Sequence, residues 1–415
     1  MWFYFDRILV AHQVQDAQLH GRPRGNLSDL YPRWLGAREL LLHHRNPYSR
    51  EVTLEIQEGY YGRRLDDSRP TDPKDQQGFA YPAYVVFLLA PLVSFPFHDV
   101  QVFFYWLLLG LTAASVGLWL RALCWRWPPT ATAVAILMML GSVPAVQGLK
   151  LQQMSLLLAA LLASSAACVA GDFLFCGGAL LALATIKPQL TWALAAWLLL
   201  WAVSDWRKRR RFVFGFALVM LFLLLGAEVI LPGWWRMFAA ALQQYHRYTQ
   251  NQSVLDQLVP WAFSGKLLAM AALTVSACFL WKMRSVTADT AEFGLAIALV
   301  MALTVLVVPM YAPYNQVLLL PAVLVLLRER SMFVSGSHAR RFAYVATAFA
   351  LTWQWIASLA LIAVYWVASP AQAREGWKWP FFVTFAVPVL IFALIFVDVQ
   401  NRPRSLAVST RDSAG

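Results

Sequence analysis

The feature that most constrains this chain is a series of apolar runs that approach the length needed to cross a lipid bilayer. A transmembrane helix needs about 20 apolar residues to cross a hydrocarbon core of about 30 Å. Ten such runs occur, at 101–120, 129–146, 153–170, 188–204, 212–231, 265–281, 291–309, 314–327, 342–368 and 379–398. Two shorter runs, 83–97 and 173–186, are predicted to be tilted spans or re-entrant segments. The pattern predicts an all-α integral membrane protein with about ten to twelve membrane helices.

Composition supports this class. The chain is 60% hydrophobic and 13% charged, whereas soluble domains are about half apolar and a quarter charged. These values exclude a soluble enzyme, a disordered protein and a secreted disulfide scaffold. The four cysteines lie in or beside apolar stretches without a CxxC pair, so we interpret them as small core residues.

The basic residues indicate how the chain is oriented in the membrane. Clusters at 207–211, 282–284, 328–341 and 402–404 separate apolar runs, which is the positive-inside pattern and not a nucleic-acid patch. Placing all four in the cytoplasm puts the C-terminus there and the segment 11–80 outside. An odd number of crossings must then join 11–80 to the cluster 207–211. Because six candidates lie between them, one of the two short runs is predicted to be re-entrant.

We expect a single polytopic domain over 1–415, in a bacterial-type cytoplasmic (inner) membrane. It comprises a large first extracytoplasmic loop (11–80), transmembrane helices (81–398) and a cytoplasmic tail (399–415). Residues 1–10 are expected to be the outer end of a first helix. Within the loop, a helix capped by Ser28 and running to His44, and a second from Glu51 to Tyr61, are predicted to lie at the membrane interface.

Motifs of soluble enzymes are absent, including the P-loop, the dinucleotide fingerprint, GxSxG and HExxH. The adjacent His43 and His44 lack an evident third ligand, so no metal site is predicted. No cofactor is predicted either.

Two charged residues near the outer membrane face are the main candidates for chemistry. Asp29 is either a helix-start carboxylate paired with Arg33 four residues later, or a general base where a lipid-linked substrate presents its head group. Lys187, followed by Pro188, interrupts a long apolar stretch. A lysine there is costly unless it is paired or functional, so it is either a snorkelling anchor or a phosphate ligand. If Asp29 is not the base, Asp16 and Asp66 are next.

A further polar segment, PMYAPYNQ, enters a helix through Tyr314, Asn315 and Gln316. It fits a plain turn with capping side chains as well as it fits a sugar-binding edge. Gln152, Tyr81 and the segment 243–252 are weaker candidates.

Five segments in order resemble the GT-C membrane glycosyltransferases of family 87. They read SDLYPRWLGARELL…RNPYS, FAYPAYVVFLLAPL, LQQMSLLLAALL, ALLALATIKPQL and VVPMYAPYNQVLLLPA, and they cover about residues 25–330. The resemblance implies a GT-C-type multi-helix bundle whose first extracytoplasmic loop carries the catalytic acidic residue. It also implies transfer with inversion from a polyprenyl-phosphate sugar, mannose in the best-known members, to a hydroxyl on a lipid or glycan acceptor.

Under this resemblance Asp29 matches the acidic residue after the first helix, and Lys187 falls in the KP segment. Substrate-binding roles are expected for Lys187, Arg33, Tyr81, Gln189, Tyr314, Asn315 and Gln316. The chain departs from the family where YPP reads Tyr81-Pro82-Ala83, where relatives often carry histidine in place of Tyr314, and in a first helix expected to be truncated.

Chemistry is consistent with this interpretation, because transfer from a lipid phosphate needs a carboxylate for the acceptor proton, a cation for the phosphate and a site that excludes water. Two alternatives stay open. One is another lipid-linked sugar enzyme, such as an O-antigen ligase or polymerase, whose large functional loop tends to come late in the chain. The other is a multi-pass lipid or solute transporter, which usually shows repeated halves and midplane charges.

Overall fold

The computed structural model describes residues 1–25, 28–66, 68–249, 252–259, 261, 263–309 and 311–412, and among these it leaves out the side chains of 248, 249 and 401–412. All regular elements in these ranges are helical, which confirms the predicted all-α class.

The helices of the first half are α1 Trp2–Tyr4, α2 Val10–Leu19, α3 Tyr31–His43, α4 Arg50–Tyr61, α5 Val85–Leu89, α6 Phe97–Ala122, α7 Pro129–Leu140, α8 Val143–Lys150, α9 Met154–Ala170, α10 Leu174–Ala184 and α11 Pro188–Ser204. Those of the second half are α12 Trp206–Ile230, α13 Trp234–Thr249, α14 Val254–Leu258, α15 Ser264–Lys282, α16 Ala291–Val307, α17 Leu320–Arg328, α18 Arg330–Val334, α19 His338–Val367, α20 Pro370–Glu375 and α21 Ala386–Asp412. A π-helical turn covers Phe5–Leu9, and 3₁₀ turns cover Ala90–Leu92, Pro313–Leu319 and Trp379–Phe381.

Fewer helices reach full membrane length alone than the sequence predicts. In the described part of the chain, five segments are long and apolar enough to cross a membrane, or six if the bent pair α7–α8 is one span. Five further apolar segments have 10–17 residues, namely Met154–Ala170, Leu174–Ala184, Pro188–Ser204, Ala291–Val307 and Pro313–Arg328. Prolines at 188, 313 and 321 delimit or interrupt several of these shorter segments.

Two of the predicted segments have a different shape in the structure. The predicted span 129–146 is broken, because α7 and α8 meet at an angle of 57°. The Ser142 side chain accepts a hydrogen bond from the Ala145 backbone N–H, so a new helix begins there. The run 83–97 forms only the short helix α5 and one 3₁₀ turn, since Pro91 and Pro96 prevent continuation.

Close packing of α10 against α12 depends on glycine. A Cβ atom on Gly178 would lie 2.0 Å from the Phe212 carbonyl oxygen, and one on Gly215 would lie 2.1 Å from that of Phe175. Small residues allow membrane helices to approach this closely. Lipid-facing side chains elsewhere on α12 stay exposed, such as Phe222 and Val229.

The bundle has two chemically different ends. We call the end that holds Arg207–Arg211 the basic end. Helix α11 runs from Lys187 to this end and, with 17 residues, is about 25 Å long. Residue 187 and its neighbours therefore lie at the other end of the bundle, together with the start of α3.

Segment boundaries in the first loop and the tail differ from those predicted. The first helical segment continues to Leu19, past the predicted loop start at 11. Helices α3 and α4 confirm the two predicted helices of the loop, but Ser28 is not the cap of α3, because its carbonyl and not its side chain accepts from the Tyr31 backbone N–H. The last helix continues to Asp412 within the predicted tail 399–415, of which 413–415 lie outside the described residues.

Candidate active site

A cavity of about 290 Å³ lies at the end of the bundle opposite the basic end, and we call it the main cavity. Seven predicted site residues line it: Asp29, Arg33, Tyr81, Lys187, Gln189, Tyr314 and Asn315. Asp75, Gln77, Gln153, Tyr245 and His246 contribute further polar groups, and Phe238 and Leu242 of α13 contribute apolar ones. The structure thus brings together residues from six separate parts of the sequence.

Asp29 is held beside the turn between α8 and α9. Its backbone N–H donates to the Leu151 carbonyl oxygen at 2.9 Å. This turn is a Schellman motif, in which Gln152 adopts a left-handed conformation (φ 46°) and the Gln153 backbone N–H donates to the Gly148 carbonyl. The turn exposes the Leu151 carbonyl to Asp29 and presents the next side chain, Gln153, to the main cavity.

Gln153 connects the two candidate charges. Its Nε2 donates to the Asp29 carboxylate, and its Oε1 accepts from the Lys187 Nζ at 3.0 Å. Only this orientation of the amide satisfies both neighbours, because a carboxylate only accepts and an ammonium only donates. Asp29 and Lys187 therefore belong to one hydrogen-bonded chain without touching each other.

Lys187 is buried between polar and aromatic partners. Pro188 favours an extended backbone at Lys187, so the helical turn that follows α10 ends there and α11 begins at Pro188. Besides its bond to Gln153, the Lys187 Nζ donates to the Ser155 Oγ at 2.8 Å. The Ser155 hydroxyl in turn donates to the Asn315 Oδ1 at 2.9 Å. The rings of Tyr81 and Tyr314 lie 5.7 and 5.6 Å from the ammonium, within cation–π range.

Arg33 does not pair with the Asp29 side chain in the way a simple helix-start ion pair requires. Its Nη1 donates to the Asp29 backbone carbonyl at 2.6 Å, and its guanidinium lies 4.7 Å from the Tyr81 ring centre. Burial raises the pKa of Asp29 above its ordinary value, although the charges of Arg33 and Lys187 oppose the rise. A carboxylate with a raised pKa is a stronger base than an exposed one.

The sequence pattern does not single out Gln153, Asp75 or Gln77, three polar residues of the main cavity. Gln153 follows a left-handed turn that lacks the usual glycine, so the turn has no clear sequence signal. Asp75 lies in a polar loop with several other carboxylates, and its side chain accepts from the backbone and side-chain nitrogens of Gln77. Tyr245 and His246 belong to the segment 243–252, whose residues 250 and 251 lie outside the described residues.

Several other candidates lie outside the main cavity. Gln316 donates to the Tyr311 hydroxyl and the Thr384 carbonyl and does not line the main cavity, so its substrate contact stays a prediction. Gln152 donates to the Leu149 carbonyl and accepts from Gln101. Asp16 pairs with Arg22, Asp66 accepts from Ser68, and neither residue lines the main cavity. Among the described residues, no group of three or more His, Cys, Asp or Glu side chains is arranged to hold a metal.

Comparison with known families decides the class of this chain. The sequence model of glycosyltransferase family 87 matches residues 79–309, more than half of the chain. The chain belongs to glycosyltransferase family 87. No curated protein and no solved structure matches it.

Family membership makes this protein a membrane glycosyltransferase. The matched segment contains Tyr81, Gln153 and Lys187 of the main cavity. Asp29, Arg33, Tyr314 and Asn315 lie outside it. In this family 87 glycosyltransferase, Asp29 is a candidate because of its place in the main cavity.

Proposed function

We propose that this glycosyltransferase moves a hexose, mannose in the first instance, from a polyprenyl-phosphate donor to a hydroxyl of a lipid or glycan acceptor. The observation that carries the proposal is the pair of opposite charges in one cavity, Asp29 and Lys187, joined through Gln153. One group fits the proton of the acceptor, and the other fits the phosphate of the donor.

The reaction proceeds by displacement at the anomeric carbon. The acceptor oxygen forms a bond to that carbon as the bond from carbon to the phosphate oxygen breaks. The acceptor proton passes to the Asp29 carboxylate, and polyprenyl phosphate leaves with the bonding electron pair. A single carboxylate is enough for this inverting step, whereas retaining glycosidases need a second one as nucleophile.

Lys187 is suited to the departing phosphate because its protein partners are neutral. It donates to an amide oxygen and a hydroxyl, Gln153 and Ser155, and no carboxylate among the described residues forms an ion pair with it. A phosphate therefore gains a charge-assisted hydrogen bond without displacing an ion-pair partner. Arg33 adds a second positive charge to the main cavity.

Orientation follows from the two ends of the bundle. Clusters of Lys and Arg mark the cytoplasmic side of membrane proteins, and the main cavity lies at the end opposite Arg207–Arg211. We therefore place the reaction on the extracytoplasmic side of a bacterial-type inner membrane, with the C-terminus in the cytoplasm. Membrane lipids surround the bundle, and no nucleic acid is involved.

Membership in a glycosyltransferase family favours group transfer over transport. The early position of the large loop also separates this chain from ligases and polymerases of lipid-linked glycans, which tend to carry that loop late.

The test is transfer by the purified protein in lipid nanodiscs, supplied with polyprenyl-phosphate mannose or with a sugar nucleotide. We expect transfer only from the lipid-linked donor, and a product whose anomeric configuration is opposite to that of the donor. Transfer from the sugar nucleotide, or retained configuration, contradicts the proposal.

A further inference from the structure

A second cavity of about 260 Å³ adjoins the main cavity. Gly78, Ala80 and Tyr245 line both, so only a thin wall separates them. A Cβ atom on Gly78 would meet only Thr53, at 3.8 and 3.9 Å. The absence of a side chain at Gly78 therefore leaves this wall open on the side of the second cavity.

The two cavities differ in charge. The main cavity contains two carboxylates and two cations, whereas every described residue that lines the second cavity is neutral. Its polar groups are amides and hydroxyls, from Asn46, Tyr48, Thr53, Gln76 and Gln244. Neutral donors and acceptors suit a polyol, while a lipid phosphate would find no countercharge there.

One donor in the second cavity has only a weak protein partner. The Asn46 Nδ2 donates to the Met237 sulfur at 3.2 Å, and a thioether is a poor acceptor. The Asn46 Oδ1 is fixed by the Tyr48 backbone N–H at 2.9 Å, so the amide has a defined orientation. A ligand hydroxyl would replace the sulfur with a better acceptor.

Two adjacent faces of helix α13 line the two cavities. Phe238 and Leu242 line the main cavity, and Met237, Ala241 and Gln244 line the second. These positions recur at helical spacings of three and four residues. A ligand that passes under α13 can thus occupy the two cavities at once.

We propose that the second cavity binds the sugar ring of the acceptor that neighbours the ring receiving the new hexose. The proposal rests on the proposed function, since it takes the main cavity as the place where the acceptor hydroxyl reacts. Its volume is smaller than the roughly 300–1,000 Å³ of sites for drug-sized ligands, which fits one ring. The acceptor is therefore a glycan of at least two rings, and not a lipid alcohol or a single sugar.

The test compares octyl mannoside with octyl mannobioside as acceptors. We expect the wild-type protein to prefer the two-ring acceptor about tenfold in kcat/KM, as one or two added hydrogen bonds allow. Ala241→Trp fills the second cavity and should abolish this ratio. Ala239→Trp is the matched control, because Ala239 lies on the same helix, is exposed and lines neither cavity.

A labelling experiment keeps this proposal separate from the proposed function. Octyl mannobioside with a photoreactive diazirine on its second ring should label peptides 46–53 or 237–244 in the wild type and Ala239→Trp, but not in Ala241→Trp. If transfer from polyprenyl-phosphate mannose fails while this labelling occurs, only the proposed function is wrong. A wild-type acceptor ratio near one, labelling elsewhere, or labelling unchanged by Ala241→Trp overturns the second-cavity proposal.

Discussion

Lys187 and Arg209 are buried to the same extent, 7% and 6% exposed, yet they lie at opposite ends of the bundle and have different kinds of partner. Arg209 donates to backbone carbonyls, at 2.8 Å to Trp201 and 2.9 Å to Val286, and stacks over the Trp201 ring at 4.0 Å. Lys187 donates to two side chains, Gln153 and Ser155, and lines the main cavity.

The difference shows how to separate a structural cation from a functional one. Backbone carbonyls at the end of α11 and in the loop after α15 are fixed by the fold, so Arg209 joins two segments, and it lines neither of the two cavities described above. Side-chain partners can rearrange when a ligand binds. A buried cation is therefore a candidate ligand-binding group when its partners are exchangeable and a cavity adjoins it.

The largest expected effect separates the carboxylates near these two cations. Asp29→Asn removes the proton acceptor but keeps an oxygen for Gln153, so transfer should fall roughly 10²–10⁴-fold. Asp205→Asn, which removes the carboxylate near Arg209, is the control and should retain transfer. Transfer from polyprenyl-phosphate mannose in nanodiscs is the measurement, and similar losses in both variants would contradict the comparison.

Asp29→Asn should not destabilise the protein. Because burial raises the pKa of Asp29 in the folded state, the ionised carboxylate costs stability, and this cost is fully present only above the folded-state pKa. Removing the charge should leave the unfolding temperature at neutral pH unchanged or higher. A clear decrease would mean that the ionised carboxylate stabilises the fold.

The second effect separates the two cations, because removing Lys187 should weaken donor binding whereas removing Arg209 should weaken the fold. Lys187→Met should raise the donor KM roughly 10- to 100-fold with little loss of stability, because a charge-assisted bond to phosphate is lost without leaving a void. Arg209→Met should leave carbonyls unpaired and lower the free energy of unfolding by on the order of 3 kcal/mol. Donor titrations and thermal unfolding of both variants are the measurements. Equal changes in donor KM and in stability for the two variants would contradict the distinction between a functional and a structural cation.

The third effect is a loss of about tenfold in the rate of transfer, measured in nanodiscs, when the link between the two charges is removed. Gln153→Met keeps the length of the side chain but removes its bonds to Asp29 and Lys187, each worth on the order of 1 kcal/mol. Gln152→Met is the matched control, since Gln152 is the preceding residue and does not line the main cavity. A larger loss of transfer in Gln152→Met than in Gln153→Met would mean that the effect comes from the left-handed turn between α8 and α9 and not from the Gln153 side chain.

The sequence predicted the two charges of the site but not their connection. Lys187 stands out because it interrupts an apolar stretch, and Asp29 because it matches the acidic residue that the family resemblance places after the first helix. Gln153 depends on a left-handed turn at Gln152, where only glycine would have been a clear signal. Asn315 and Gln316 were predicted together, yet adjacent positions of a helical turn point differently, and only Asn315 lines the cavity.

The fold shows the same division between what composition fixes and what depends on contacts. Hydropathy predicted the helical membrane class, whereas the break between α7 and α8 depends on the Ser142 side chain accepting from the Ala145 backbone N–H. The hydropathy of 83–97 also predicted a possible span, although two prolines restrict it to a short helix. Local capping and proline positions decide such cases more than mean hydropathy does.

The smallest effect is a shift of the pH profile. Transfer needs the ionised form of Asp29, so the acidic limb of kcat/KM should lie above the ordinary range for aspartate, because burial raises the pKa of Asp29. Arg33 lowers this pKa, so Arg33→Gln should move the limb to still higher pH.

Arg38→Gln is the matched control on the same helix, because Arg38 donates to the Val93 carbonyl away from the main cavity. An acidic limb that is the same in the wild type and in Arg33→Gln would mean that Asp29 is not the titrating base.

The central claim is that the main cavity divides two tasks between Asp29 and Lys187. It is tested most directly by the affinity of polyprenyl phosphate, the leaving group, for Asp29→Asn and for the double variant Asp29→Asn with Lys187→Met. The account predicts that Asp29→Asn binds polyprenyl phosphate at least as tightly as the wild type, because a negative charge is removed, and that the double variant binds roughly 10- to 100-fold more weakly. Weaker binding in Asp29→Asn, or equal binding in the two variants, would contradict it.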